Sequence, residues 1–380
     1  MINIATPVSI LEYGSTYLRL AIYDKNMFHK RLFFEKKIDF TRKDNFIEDQ
    51  LISKLITDAE KELGQHLNDI LLMFDSSTIF SSDLSIQKNF EKKVISNQDI
   101  NYLIKDCENK LKLNNKEKDI LHIIISSVML DNNYVQDIEN YKKESSKVII
   151  DLKFILVDKR VYETIKRLFL RKHISLDSVF CTSYIKSLGL INKLNISGYS
   201  SFIDIGLKKS SITIFKDKNL LYLNNTHVGG EHITRDISKI LKLDYRTSEA
   251  KKLKFYKSNL SGNNLNEDHL LKKIINSRVE EIIELLFSNC PFLKNNTFDN
   301  GLKLYFLGNG SKVLNENLLS FGSDFSFISE MSMINQKKED CCDATIKFIN
   351  SIETIQPKKI NLSLENKGFF EKLFEYFTNK

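Results

Sequence analysis

Two short stretches carry residues that could do chemistry. LEYGST at 11–16 and IDIGLKKSS at 203–211 each put a carboxylate, Glu12 or Asp204, at the end of an apolar run and two residues before a glycine, Gly14 or Gly206. Backbone N–H groups in a glycine-containing turn form a concavity that takes anions. An acid at the strand end can hold hydrated Mg²⁺ through water, as this hard cation prefers. Two such turns facing each other across a cleft would grip a polyphosphate, with Ser15 and Thr16 beside the first and Lys208 and Lys209 beside the second. Taken singly, Gly14 and Gly206 also read as ordinary hairpin glycines; it is the pairing that favours a phosphate site. A third turn, FLGNGSKV at 306–313, follows a later apolar strand and brings Gly308, Gly310 and Ser311.

The elements that must position these turns repeat. VSILEYGSTYLRLAIYD reads as two apolar strands around a tight turn, and SSFIDIGLKKSSITIFKDKNLLYLNNTHVG repeats the plan and adds a third strand. The chain is therefore α/β with two related halves. Between the first two units, residues 83–171 have a different character: a helix over SNQDINYLIKDCENKLK with Ser96 and Asp99 at capping spacing, then strands and a further helix. A helical period returns in HLLKKIINSRVEEIIELLF, with Pro291 as a stop. After Pro357 a polar stretch leads to NKGFFEKLFEYFTNK at 366–380. At 100° per residue, Phe369, Phe370, Leu373, Phe374 and Phe377 of that stretch fall within an arc of about 140°, opposite Glu371, Lys372 and Glu375. Such a helix suits either docking on the protein's own core or insertion into a lipid interface.

Composition narrows the class. At 380 residues and 42% hydrophobic content the chain can bury more than one core. The net charge of +7 is scattered rather than clustered, which argues against a nucleic-acid partner. No apolar run reaches the roughly 18–20 residues of a membrane span, and the first residues lack a signal-peptide pattern, so a cytoplasmic or peripheral protein is expected. Five cysteines are an odd number, and Cys107, Cys181 and Cys290 stand isolated, which excludes a disulfide framework. Cys341 and Cys342 have no second pair or histidine at ligand spacing, so neither a metal site nor a cysteine or histidine nucleophile is assigned.

Together these residues resemble the actin-like ATPase superfamily and, within it, the FtsA family of bacterial cell-division proteins. HVGGEHITRDISKIL at 227–241 is similar to that family's Val-Gly-Gly-Asp-His-Ile-Thr-x-Asp-Ile signature, SEAKKLKF at 248–255 to its Ala-Glu-x-Leu-Lys segment, and SRVEEIIELL at 277–286 to its next helix. FLGNGSKV stands where the family has its adenosine loop, and the 11–16 and 203–211 turns where it has its phosphate loops. The resemblance implies an actin-like two-domain fold built from duplicated ribonuclease H-like halves. Its parts would be 1–82 with 172–195, an inserted subdomain at 83–171, 196–245 with 300–356, a small subdomain at 246–299, a linker at 357–365 and a membrane-targeting helix at 366–380. It implies ATP and Mg²⁺ as cofactors, adding Gly229, Gly230 and Lys254 to the nucleotide site, with Glu12 and Asp204 near the metal. It also implies filaments of the chain itself on the inner face of the cytoplasmic membrane at the division site. These would tether the tubulin-like protein FtsZ and help recruit later division proteins, with Lys272, Lys273 and Arg278 as candidates for an acidic FtsZ tail.

The departures from the family are specific. Glu12 and Tyr13 replace Asp-Ile, and Leu207, Lys208 and Lys209 replace the glycines and flanking residues of the second loop. Lys251 replaces a glutamate expected at the ribose. Lost glycines restrict the approach of backbone to phosphate, so the expectation is slow ATP turnover at most, with Lys208 and Lys209 as compensating cations. A pilus-assembly adaptor of the same superfamily is the nearest rival, although a terminal membrane helix is not expected of it. A phosphotransferase of the sugar-kinase branch would need glycines and a catalytic acid that GLKKSS lacks.

Overall fold

The computed structural model describes residues 7–24, 29–38, 45–135, 140–141, 143–258, 267–292, 298, 301–314 and 327–355. The apolar repeat at the start of the chain makes a hairpin, β1 (Val8–Tyr13) and β2 (Tyr17–Tyr23), extended by β3 (Lys30–Lys37). After α1 (Asn45–Leu63), β4 (Asp69–Phe74) lies parallel to β1, and β9 (Ser175–Cys181) lies parallel to β4. The sheet order is β3-β2-β1-β4-β9.

The second half repeats this plan strand for strand. β10 (Tyr199–Ile205), β11 (Ser210–Lys216) and β12 (Asn219–Thr226) form the antiparallel meander. β13 (Leu302–Leu307) and β14 (Ile328–Met333) add the parallel pair, giving the order β14-β13-β10-β11-β12. Each half thus places two parallel strands beside a three-stranded meander, the duplicated layout expected from the sequence. Burial explains the strand composition: Ile10, Leu11, Leu20 and Ile22 in the first sheet, and Ile203, Ile212, Ile214 and Phe306 in the second, are almost wholly enclosed.

Between β4 and β9 the chain leaves the first half. β5 (Phe80–Val94), α2 (Asn97–Asn114), β6 (Lys118–Leu130), β7 (Asn133–Tyr134) and β8 (Glu144–Asp158) form a unit with its own core around Leu103, Ile150 and Phe154. Ser96 and Asp99 make the capping box read from the sequence: Asp99 N donates to Ser96 Oγ (3.3 Å) and Ser96 N donates to Asp99 Oδ2 (3.0 Å). The following helix α3 (Lys159–Leu170), which the sequence groups with this unit, instead sinks Ile165 and Phe169 into the core of the first half. The unit is joined to the second half as well. Phe80 of β5 pairs with Asn224 of β12, and Leu223 N donates to Ser81 Oγ (2.8 Å), so its strands continue the second sheet to nine.

Helix α4 (Thr182–Leu194) leaves β9 toward the second half, and α8 (Asp340–Ile355) leaves β14 and crosses back over α4. Contact is close: a Cβ on Gly189 would sit 2.6 Å from that of Ala344. Cys341, Cys342 and Ile346 thereby join the first core, and all five cysteines are buried and outside any disulfide. The second half's remaining helices are α5 (Gly230–Leu241), α6 (Tyr245–Ser258) and α7 (Glu267–Phe287). Among the described residues no helix is long and apolar enough to cross a membrane, and no cluster of His, Cys, Asp and Glu could hold a metal ion. The linker at 357–365 and the helix expected at 366–380, with Phe369, Phe370, Leu373, Phe374 and Phe377, lie outside the described residues.

Candidate nucleotide cleft

The two turns singled out in the sequence are built alike. In each hairpin the last paired residues flank a four-residue turn, Tyr13 opposite Leu18 in the first and Ile205 opposite Ser210 in the second. Gly14 N donates to Tyr17 O (3.1 Å) and Gly206 N to Lys209 O (2.9 Å). A Cβ on either glycine would stand 2.9 Å from that same carbonyl, so crowding accounts for the glycine at both places. Neither turn uses a left-handed backbone, and Leu207 and Lys208 are not among the positive-φ residues. The second turn therefore keeps the hydrogen-bonded geometry of the first with Leu207 and Lys208 in place of glycines.

Other backbone holds the second turn from behind. Gly230 N and Glu231 N, at the start of α5, donate to Gly206 O and Leu207 O (2.8 Å each). Gly229 lies so close that a Cβ there would meet Leu207 O, Gly206 O and Lys209 N at 2.7–2.8 Å. The β13 loop closes over the other side. Gly308 has φ +82° and a Cβ on it would reach to 2.2 Å from Asp204 Oδ1, so this position tolerates only glycine on both counts. Between the two turns and this loop lies a cleft of about 440 Å³, lined among others by Glu12, Gly14, Ser15, Thr16, Asp204, Gly206, Lys209, Gly308 and Ser311.

The acids at the strand ends of both hairpins are already paired. Glu12 and Arg19 stand directly opposite across the first hairpin, and Arg19 donates to Glu12 Oε2 (3.0 Å) and to Glu35 Oε2 (2.8 Å). Burial opposes the charge on Arg19, but the two carboxylates outweigh it and hold the guanidinium above its ordinary range. In the second hairpin Asp204 faces Ser211, and its cation comes from elsewhere: Lys186 of α4 donates to Asp204 Oδ2. Burial likewise opposes the Lys186 charge, and Asp204 followed by Glu12 overcomes it, raising the ammonium. Lys209 turns under the Phe74 ring (5.3 Å) and donates to the Asp75 carbonyl. Enclosure lowers Lys209 despite the nearby Asp75 and Asp204. Enclosure raises the Asp75 carboxyl, which accepts from Ser183 N (3.0 Å) and from the Cys181 thiol (3.3 Å).

Comparison with known proteins follows this geometry. Residues 201–313, from the β10–β11 hairpin to the β13 loop, match the family described as Cell division protein FtsA. The FtsA of Helicobacter pylori strain J99 is 23% identical over 162 residues, covering 43% of this chain and 32% of that protein. The FtsA of Agrobacterium fabrum strain C58 is 21% identical over 156 residues, covering 36% and 35%. Over residues 201–313 the chain is similar to FtsA. Its match spans about a third of the length of these curated relatives. Among solved structures, a PilM-PilN type IV pilus biogenesis complex superposes with a TM-score of 0.60 at 12% identity, over 93% of this chain and 99% of that one. MreB5 of Spiroplasma citri bound to ADP superposes with a TM-score of 0.51 at 12% identity, over 92% and 98%. These likenesses establish an actin-like fold.

The cleft suits a nucleotide in size and lining. It also presents one unsatisfied buried acceptor: Asn225 donates Nδ2 to Ser76 O (2.7 Å) while its Oδ1 meets no donor. The donor set for hydrated Mg²⁺ fits poorly. Both acids expected to hold it, Glu12 and Asp204, already accept from fixed cations of the chain.

Several expected residues land elsewhere than in the cleft wall. Gly229, Gly230 and Gly310 pack behind the second turn and act as its backing. Lys208 is exposed and opens onto a neighbouring hollow with His227 and Arg160. Lys254 is exposed on α6 and does not line the cleft; the lysine behind the site is Lys252, buried and donating to Gly230 O (3.0 Å) and Thr234 Oγ1 (2.7 Å). Of the basic residues expected to meet FtsZ, Lys272 and Lys273 are exposed. Arg278 is instead tied to Asp236 of α5 and to Glu281, so it braces α5 against α7. Arg19, Asp75 and Lys186 were missed in the sequence. The register of the first hairpin could have revealed Arg19, whereas nothing local in TSYIKSLGL marks Lys186.

Proposed function

We propose that this chain is a cell-division scaffold of the FtsA kind, which holds ATP in the cleft between its halves without using it as an enzyme would. The observation that carries the reading is the match over residues 201–313, because it runs through the second phosphate turn, the Gly229–Gly230 backing and the β13 loop. Hydrolysis needs a group free to position water and charge in the transition state. In this cleft Glu12 and Asp204 are ion-paired, and Asp75 is held by Ser183 and Cys181. Bound nucleotide then serves to set the relative position of the halves and so to permit assembly with further copies.

On this reading the assembled chains tether FtsZ filaments to the cytoplasmic membrane. The apolar residues Phe369, Phe370, Leu373, Phe374 and Phe377 supply the lipid contact, and the unit of α6 and α7 supplies the FtsZ contact through Lys272 and Lys273. One such anchor is weak, and several on one filament raise avidity by about 10²- to 10⁴-fold. A second reading is favoured by the larger TM-score of the PilM-PilN complex, 0.60 against 0.51 for MreB5: an adaptor in type IV pilus biogenesis with a partner of the PilN kind. Pelleting the full chain with anionic vesicles, FtsZ and ATP separates the two. The division reading expects FtsZ in the pellet only with the chain present, and expects Phe370→Glu with Phe374→Glu to leave both proteins in the supernatant. An adaptor would bind a PilN-type partner and leave FtsZ in solution.

A further inference from the structure

We propose that Lys186 stands where a divalent cation would otherwise mediate nucleotide binding, so that the cleft takes a nucleoside triphosphate without metal. The inference rests on the nucleotide reading and adds a specific departure to it. Asp204, at the strand end of the second turn, is the acid placed to face a phosphate-bound metal, and Lys186 already donates to it. The pair is enclosed, with 11% of the lysine side chain and 19% of the aspartate side chain exposed. On the opposite wall Glu12 is occupied by Arg19. A hydrated dication entering between them would have to displace an ammonium with little room to retreat, and would then face it as a like charge.

The rest of the wall supplies what a metal normally contributes, positive charge against polyphosphate. Six basic side chains line the cleft against five acids, and Lys312, beside the β13 loop, is exposed. Lys186 is the fifth residue of α4, an element anchored in the first core by Ile185, Leu190 and Ile191, so its position is set by packing rather than by the ligand. A positioned ammonium meets a phosphate oxygen as a point charge and needs no coordination shell.

The test is a pair of equilibrium titrations of the full chain with ATP, one in EDTA and one in excess Mg²⁺. The expected result is a dissociation constant in EDTA within about threefold of that in Mg²⁺, less than 1 kcal/mol apart on the affinity scale. Lys186→Met should weaken binding in EDTA by about tenfold or more and restore a requirement for Mg²⁺, because Asp204 is then free for it. Retained folding of the variant is checked by its melting curve, and the wild-type comparison stands without it. ATP binding that appears only with Mg²⁺ in the wild type overturns this inference and leaves the nucleotide reading intact. Binding in neither buffer overturns both.

Discussion

The two hairpins share a turn length, a register and a glycine held against the same carbonyl, yet they neutralise their acids differently. In the first, Glu12 and Arg19 are cross-strand partners, so the hairpin satisfies itself. In the second, the residue opposite Asp204 is Ser211, and the cation arrives from α4 while α5 and the β13 loop hold the turn from behind. The first turn is thus a local structure and the second a junction of several elements. A duplicated fold can keep backbone geometry in both copies while one copy places its electrostatics under the control of the other half. Movement of the halves would then break the Asp204–Lys186 contact and leave Glu12–Arg19 intact.

The largest expected effect comes from attacking the junction. Gly229→Ala drives a methyl into backbone atoms at 2.7–2.8 Å, and should cost about 3 kcal/mol in denaturant unfolding, the upper end for overpacking. It should also abolish ATP binding, because the turn itself must shift. Ser15→Ala in the first turn should stay within about 0.5 kcal/mol. Equal effects of the two would erase the difference between the hairpins.

Next in size is Arg19→Met, which strands Glu12 and Glu35 without their shared cation. A loss of about 2 kcal/mol is expected, between the limits for exposed and buried ion pairs. Ser211→Ala at the equivalent place in the second hairpin should change stability by less than about 0.5 kcal/mol. Comparable losses would show that the second hairpin also relies on its own cross-strand position.

The junction of the inserted unit with the first half carries an acid-sensitive joint. His122 of β6 accepts from Cys181 N (2.9 Å) among Phe180, Tyr184 and Phe348, and burial pulls its pKa down to about 3. A histidine kept neutral when folded but protonated when unfolded stabilises the fold fully above the unfolded value of about 6.5. That contribution is lost progressively as pH falls from there toward 3, by up to about 1.4 kcal/mol per pH unit. Melting curves between pH 8 and 5 should therefore show a loss that His122→Gln, which keeps an acceptor for Cys181 N, flattens. An unchanged slope in that variant would place the acid sensitivity elsewhere.

The smallest effect is the control remote from both hairpins. Ser96→Ala removes the α2 cap and should cost about 1 kcal/mol, with ATP affinity unchanged. A change in affinity would mean that the inserted unit communicates with the cleft through β5 and β12.

What could be read in advance followed from how local each feature is. Period-2 apolar runs around Gly14 and Gly206 reveal both hairpins and hence the duplication, and Ser96 with Asp99 reveals a cap, because each is specified within a few residues. Gly308 was legible as a turn, and its φ of +82° against Asp204 gives the reason. Lys186 was not legible: it lies 18 residues before its partner on a different element, and only packing of α4 between the halves brings them together. Lys252 hid for a similar reason, since KKLK offers several lysines and only helix phase decides which one is buried. Arg278 misled in the opposite direction, as a basic residue on an amphipathic helix whose partner, Asp236, sits on another helix.

The central claim is that the cleft retains nucleotide without consuming it, and the identity of the nucleotide recovered from the full chain after prolonged incubation with ATP tests it most directly. The account predicts about one ATP per chain, still a triphosphate. Recovery as ADP, with phosphate release near the 1 s⁻¹ of ordinary enzymes, or a chain that retains no nucleotide at all, would contradict it.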